Sequence, residues 1–236
     1  MSTTKKPDIV LLPGLDGTGE LLKDLHARLS AHRQVRVIAY PTDKPLGYGQ
    51  LTALVEELVP DERFVLLGES FSGPIAIEIA ARQKARVAGL VLASTFARHP
   101  MPSLFAGLAK VFDHTRVPRF VVEAALLGTM GTPEIKATLA RVLSEVSSDV
   151  VRLRVAEALR VDKRHVLQEV ACPTLCLTGR RDRLVGRNHT SELQSALPEC
   201  EVRVFDAPHM LLQTHALEAA EAIDRFCERV ALTDRC

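Results

Sequence analysis

The chain reads as an α/β protein: a mostly parallel sheet of about six strands, helices on both faces, and an inserted helical segment. Three observations predict this. Short apolar runs alternate with stretches whose apolar residues recur every three or four positions. Several runs are apolar throughout rather than at every second residue, as expected of strands covered on both faces. Most runs end in turn residues that lead into a helix-forming stretch.

Taken in order, Asp8–Pro13 is an apolar run closing in the turn Gly14-Leu15-Asp16-Gly17-Thr18-Gly19. Leu21, Leu22, Leu25 and Leu29 stand at helical spacing, and Val35, Val37 and Ala39 mark a strand that Pro41 stops. Leu51, Leu54, Val55 and Leu58 define a second helix. Phe64–Leu67 is a buried strand, followed by a helix with Pro74 in its first turn and Ile75, Ala76, Ile79 and Ala80 along one side. Val87–Thr95 is another buried strand. The rhythm then changes, and residues 97–165 hold no strand-like run. Their apolar residues fall in helical groups (Leu104, Leu108, Phe112; Val121, Val122, Ala125, Leu126; Leu139, Val142, Leu143), punctuated by Pro100, Pro102, Pro118 and Pro133. This predicts a core of residues 1–96 and 166–236 with residues 97–165 as a helical cap over the sheet. Alternation resumes with a strand at Pro173–Gly179, a helix bearing Leu193 and Leu197, a strand at Val202–Phe205 and a helix at Ala216–Val230.

Composition narrows the function classes. The 236 residues suit one domain with a full core, and 47% hydrophobic with 25% charged residues is usual for a globular protein. A net charge of +1 offers no electrostatic case for nucleic acid or an anionic membrane. No stretch reads as a membrane span or signal-peptide core, which leads to the expectation of a cytoplasmic protein. Five cysteines, an odd count, do not make a disulfide framework, and the Cys172/Cys176 spacing lacks the partner pair a zinc site needs. Cys172 and Cys176 fall on one predicted strand, too far apart for a bridge; with Cys200 and Cys227 they read as small core residues. Composition leaves the oligomeric state open.

The chemistry concentrates at Gly68-Glu69-Ser70-Phe71-Ser72-Gly73, between a buried strand and a helix. A chain reversing there holds the apex residue in a strained conformation and needs small neighbours two positions either side, here Gly68 and Ser72. Ser70 is thereby raised from the sheet as a nucleophile, with the N–H of Phe71 aimed at any oxyanion formed beside it. Serine is also favoured as a plain helix N-cap, and Ser72 is a rival nucleophile, but Ser72 would set bulky Pro74 against the turn. A base and an orienting acid should follow later strands on the same rim. Asp182 follows the strand ending at Gly179, and His209 follows the strand ending at Phe205. The order Ser70, Asp182, His209 separates this set from the chymotrypsin and subtilisin arrangements. Asp182 could alternatively be a solvated residue among Arg180, Arg181 and Arg183, and His215 is a rival base predicted to lie inside the last helix. The turn after the first strand offers Leu15 as the second oxyanion donor. Its glycines do not match a phosphate loop.

On these residues, and on Leu12-Pro13-Gly14-Leu15-Asp16-Gly17, the chain resembles a capped α/β-hydrolase over essentially its whole length. The string Leu-Pro-Gly-Leu-Asp-Gly-Thr-Gly also resembles the esterase/acyltransferase branch that includes plant phytyl ester synthases. Proline stands where the family's oxyanion motif usually has histidine, and, since the first strand already leads into the oxyanion turn, a sheet trimmed of the family's two N-terminal antiparallel strands is expected. The resemblance implies acyl transfer from a small-molecule ester or thioester through an acyl-enzyme on Ser70, with no metal or organic cofactor. Thioesterase, acyltransferase and perhydrolase chemistry stay open, as does a ligand sensor without turnover. Leu104, Leu108, Phe112 and Met210 are the candidate pocket residues.

Overall fold

The computed structural model describes residues 7–100, 117–197 and 199–233. Six strands, β1 (Asp8–Leu12), β2 (Val35–Val37), β3 (Phe64–Glu69), β4 (Val87–Ala93), β5 (Thr174–Gly179) and β6 (Cys200–Phe205), form one sheet in the order β2-β1-β3-β4-β5-β6. Every neighbouring pair is parallel. Strand residues alternate between two cores, because successive side chains point to opposite faces. Val10, Leu12, Leu66, Leu90, Leu92 and Cys176 pack beneath α2 (Tyr48–Leu58), α3 (Gly73–Arg82) and α8 (Arg187–Ala196). Ile9, Leu11, Val65, Leu67, Val91, Leu175 and Leu177 pack against α1 (Lys23–Ser30) and α10 (Ala216–Thr233).

From β1 the chain winds outward to β2, then crosses back to lay β3 on the other side of β1. That change of direction opens a crevice outside the carboxyl ends of β1 and β3, where open α/β sheets bind their ligands. The register Leu12↔Gly68 puts the turn after β1 directly beside Ser70.

Between β4 and β5 the described residues hold α4 (Arg119–Leu126), α5 (Pro133–Glu145), α6 (Ser148–Ala158) and α7 (Arg164–Leu167). Thr132 caps α5 and Ser147 caps α6 through their hydroxyls, and Pro133 opens α5 where its missing N–H costs nothing. The segment is drawn together at its base. Arg98 and Asp162 form an isolated antiparallel bridge, the N–H of His99 donates to Val161 O (2.8 Å), and that of Lys163 to Ala97 O (2.7 Å).

Several predicted boundaries move. β2 ends at Val37, and the Tyr40 N–H instead donates to Gly17 O (2.7 Å). β4 ends at Ala93 because Ser94 turns to a positive φ of 46°. Cys172 precedes β5, and the contact within the cysteine set is between neighbouring strands, Cys176 Sγ lying 3.5 Å from Cys200 Sγ. His215 stands outside the last helix. It closes the short helix α9 (Leu211–Thr214) and separates it from α10.

Glycine positions give a stability test. A Cβ on Gly73 would lie 1.9 Å from Thr95 Oγ1 and 2.8 Å from Thr95 Cβ, whereas one on Gly49 would meet nothing within 4 Å. Gly73→Ala is expected to destabilise by about 3 kcal/mol, and Gly49→Ala to stabilise by about 0.5 kcal/mol. Urea denaturation midpoints of the two variants check the opposite signs.

Candidate active site

At the end of β3 the backbone of Ser70 takes φ 48°, a left-handed conformation that serine adopts only when its surroundings impose it. The crowding around it is severe. A Cβ on Gly68 would come within 2.8 Å of both Ala76 Cβ and Ser72 O, so the strand and helix approach more closely than any other residue at 68 allows. Thr95, following β4, donates its hydroxyl to Ser70 O and braces the reversal from the side. Ser72, the rival nucleophile, is fully buried; its hydroxyl donates to Pro13 O and accepts from Tyr40 OH at 2.7 Å. It ties the elbow to the turn after β1.

Ser70 Oγ lies 2.8 Å from His209 Nε2, and His209 Nδ1 lies 2.9 Å from Asp182 Oδ2. A carboxylate can only accept, so the imidazole proton is assigned to Nδ1 and Nε2 is left to accept from the serine hydroxyl. The other oxygen of Asp182 accepts the N–H groups of Leu184 (2.8 Å) and Val185 (2.9 Å), which fixes the carboxylate plane. The Asp182 side chain is 1% exposed. Its neighbours Arg180, Arg181 and Arg183 face solvent, with Arg181 paired to Asp206. The loop bearing His209 is seated on the end of β5. The Arg181 N–H donates to Ala207 O (3.0 Å), and a Cβ on Gly179 would strike that oxygen at 2.4 Å. His215 instead pairs with the Thr214 hydroxyl (2.9 Å) and packs edge-on against Phe205.

Phe71 is buried with its ring stacked on Tyr48, centroids 4.6 Å apart, and its carbonyl accepts from Tyr48 OH (3.0 Å). Its N–H falls in the first turn of the elbow helix, where intrahelical acceptors are lacking. Leu15 lies in the turn after β1, half-buried, its side chain against Val146, Val150 and Val151. Met210 is buried with Leu127 and Leu139, and its N–H donates to Leu126 O (3.0 Å), so it joins the His209 loop to α4 and α5. Leu104, Leu108 and Phe112 lie outside the described residues. Among the described residues no group of three His, Cys, Asp or Glu side chains could hold a metal ion, and no helix is long and apolar enough to cross a membrane.

Two charged residues of this site carry no motif of their own. Glu69, just before Ser70, is buried; its carboxylate accepts from Gln213 Nε2 (2.8 Å) and from the N–H of Gly14. Burial pushes its pKa up to about 7, against the opposing pull of those two hydrogen bonds and His209. Arg154, in α6, is fully buried over the Tyr40 ring and donates to three backbone carbonyls.

A six-stranded parallel sheet carrying a hydrogen-bonded serine, histidine and aspartate at its carboxyl rim defines the class, an α/β-hydrolase. A sequence model of the serine aminopeptidase S33 family matches residues 48–215, most of the chain, and the chain belongs to that family. The match includes Ser70, Glu69, Arg154, Asp182 and His209 and begins after the Leu15 turn. A pimeloyl-[acyl-carrier protein] methyl ester esterase of Proteus mirabilis is 26% identical over 96% of this chain and 95% of its own length. Phytyl ester synthase 1 of Arabidopsis thaliana is 32% identical over 56% of this chain and 20% of its own. The fold matches solved structures of an enol-lactonase from Burkholderia xenovorans LB400 (TM-score 0.80, 20% identity, 96% and 93% of the two chains) and a bromoperoxidase from Bacillus anthracis (TM-score 0.83, 18% identity, 95% and 92%).

Glu69 supplies a pH test. With a pKa near 7 in the fold against an ordinary 4.5, the native state binds the extra proton between those values. Stability from Glu69 is therefore full below about pH 4.5 and lost as pH rises through 7, a change of about 3 kcal/mol at most. Subtracting the urea-derived stability of Glu69→Gln from that of the parent, pH by pH, should give a difference that declines across this window.

Proposed function

We propose that this protein hydrolyses small carboxylic esters or thioesters through an acyl-enzyme on Ser70. The Ser70–His209–Asp182 hydrogen-bond chain carries the reading. Ser70 Oγ attacks the acyl carbonyl while His209 Nε2 takes its proton. Asp182 keeps the other imidazole proton on Nδ1 and balances the imidazolium that forms. The N–H groups of Leu15 and Phe71 hold the oxyanion. His209 then returns the proton to the departing alcohol or thiol, leaving the acyl group on Ser70. Water, deprotonated by His209, attacks in turn and releases the acid and the free serine.

The name of the Proteus mirabilis relative supports an ester as substrate. The match to a plant ester synthase favours a second reading, in which an alcohol replaces water as acceptor. Residues 1–96 and 166–236 form the catalytic core, and residues 97–165 form a cap that shields the acyl group from water.

Ser70→Ala is expected to lose fluorophosphonate labelling and to lower kcat on p-nitrophenyl esters by about 10⁴-fold or more, and Asp182→Asn to lower it by about 10⁴-fold. Labelling and turnover that persist undiminished in Ser70→Ala would overturn the reading. Adding a long-chain alcohol and quantifying new ester against free acid separates transfer from hydrolysis.

A further inference from the structure

Helix α6 reaches out of the inserted segment to the turn that follows β1, and it does so with a buried arginine. The side chain is 0% exposed. One terminal nitrogen donates to both Leu15 O and Asp16 O, each at 2.8 Å, and the other donates to Pro41 O at 2.8 Å. The guanidinium lies 5.5 Å from the centre of the Tyr40 ring. The Gly17 backbone presses so close that a Cβ there would fall 2.5 Å from the Arg154 nitrogen. The nearest carboxylate, Asp16, is engaged by the N–H and hydroxyl of Thr18 at 2.9 and 2.7 Å. Arg154 thus spends its hydrogen bonds on backbone oxygens of one turn and its neighbour, an arrangement that orients peptide planes.

In a trans peptide the C=O and the following N–H point in opposite directions, so holding one aims the other. The turn can be followed plane by plane. Pro13 O accepts the Ser72 hydroxyl, and the N–H of Gly14 goes to Glu69. Gly14 O accepts the N–H of Gly17 at 3.1 Å, which turns the Leu15 N–H the other way. Leu15 O is held by Arg154, which turns the Asp16 N–H away from the guanidinium. Asp16 O is held by the same nitrogen, and Gly17 O accepts from Tyr40 N–H at 2.7 Å. The N–H groups of Leu15 and Asp16 are thus directed away from the acceptors that hold this stretch, and the Leu12↔Gly68 register sets the turn that carries them next to the end of β3. Without Arg154, the Leu15 carbonyl would be free to rotate and take the Asp16 N–H with it, and the Asp16 carbonyl to take the Gly17 N–H, whose bond to Gly14 O holds the plane of the Leu15 N–H.

We propose that Arg154 is a positioning residue of the oxyanion turn, its guanidinium fixing the Leu15 and Asp16 carbonyls so that the Leu15 and Asp16 N–H groups stay presented to the reacting carbonyl. This rests on the hydrolase reading above. The inserted segment then takes part in the chemistry through the backbone, apart from any contact with substrate. Arginine suits the task because its planar fork reaches several acceptors at fixed angles, whereas a lysine ammonium is a single point.

The test compares Arg154→Lys and Arg154→Ala with the parent, each rate expressed per site titrated to completion by a fluorophosphonate, and with Ser70→Ala, its rate expressed per mole of protein. Removing an oxyanion donor typically lowers kcat by about 10²–10³-fold, and a misaligned one should approach the lower figure. Arg154→Ala is therefore expected to lose about 10²-fold in kcat on p-nitrophenyl acetate with KM little changed. Affinity for a boronic acid that forms a tetrahedral adduct on Ser70 should fall by a similar factor. Arg154→Lys should fall between the two, and millimolar guanidinium ion should restore part of the Arg154→Ala rate. Variants that melt earlier but keep the parental kcat per titrated site and boronate affinity would overturn the proposal while leaving the hydrolase reading intact. Full turnover in Ser70→Ala would remove that reading, and the proposal with it.

Discussion

The reversal of β3 into α3 at Ser70 is the constraint on which the rest of the site depends. It requires a strand and a helix to meet at a distance that hydrogen alone permits at positions 68 and 73. The left-handed backbone of Ser70 follows from that closeness and is retained because the sheet core over-determines it. Thr95 on one side and Ser72 on the other then hold the apex to β4 and to the β1 turn. Parallel strands end on the same rim, so the chain of registers from β1 through β3, β4 and β5 to β6 brings four loops together.

Electrostatically the site is divided between a pair of buried acids with contrasting surroundings. Asp182 accepts hydrogen bonds from two backbone N–H groups and from the Nδ1–H of His209. Glu69 has one amide side chain and one peptide N–H, and burial raises its pKa to about 7. Both lie close to His209, and their different solvation gives them different parts: one fixes the imidazole, the other ties the β1 turn to α9 through Gln213.

Much of this was legible in the sequence because it depends on local chemistry. The continuous apolar run Phe64–Leu67 followed by small residues at 68, 72 and 73 marks the elbow, and positions just after apolar runs mark Asp182 and His209. What sequence reasoning missed depends on distant partners. Glu69 sits in a turn-like string, and the side chain that hydrogen-bonds its buried carboxylate, Gln213, is 144 residues away. Arg154 did leave a trace, an arginine on the stripe formed by Val150, Val151 and Ala158, where a surface charge does not belong. His215 was assigned to the wrong helix because nothing in Leu211–Ala216 announces the break that its own backbone makes.

The bridge between Arg98 and Asp162 has a consequence for how such proteins diversify. The inserted segment leaves and rejoins the sheet at neighbouring points, so its length is nearly decoupled from the geometry beneath it. Doubling a loop whose ends already meet costs only about 0.6 kcal/mol in closure entropy. A lineage can therefore rebuild this segment wholesale while the sheet is inherited unchanged. One dependence travels with the exchange: an incoming segment must bring its own anchor for the Leu15–Asp16 carbonyls or leave them to find another.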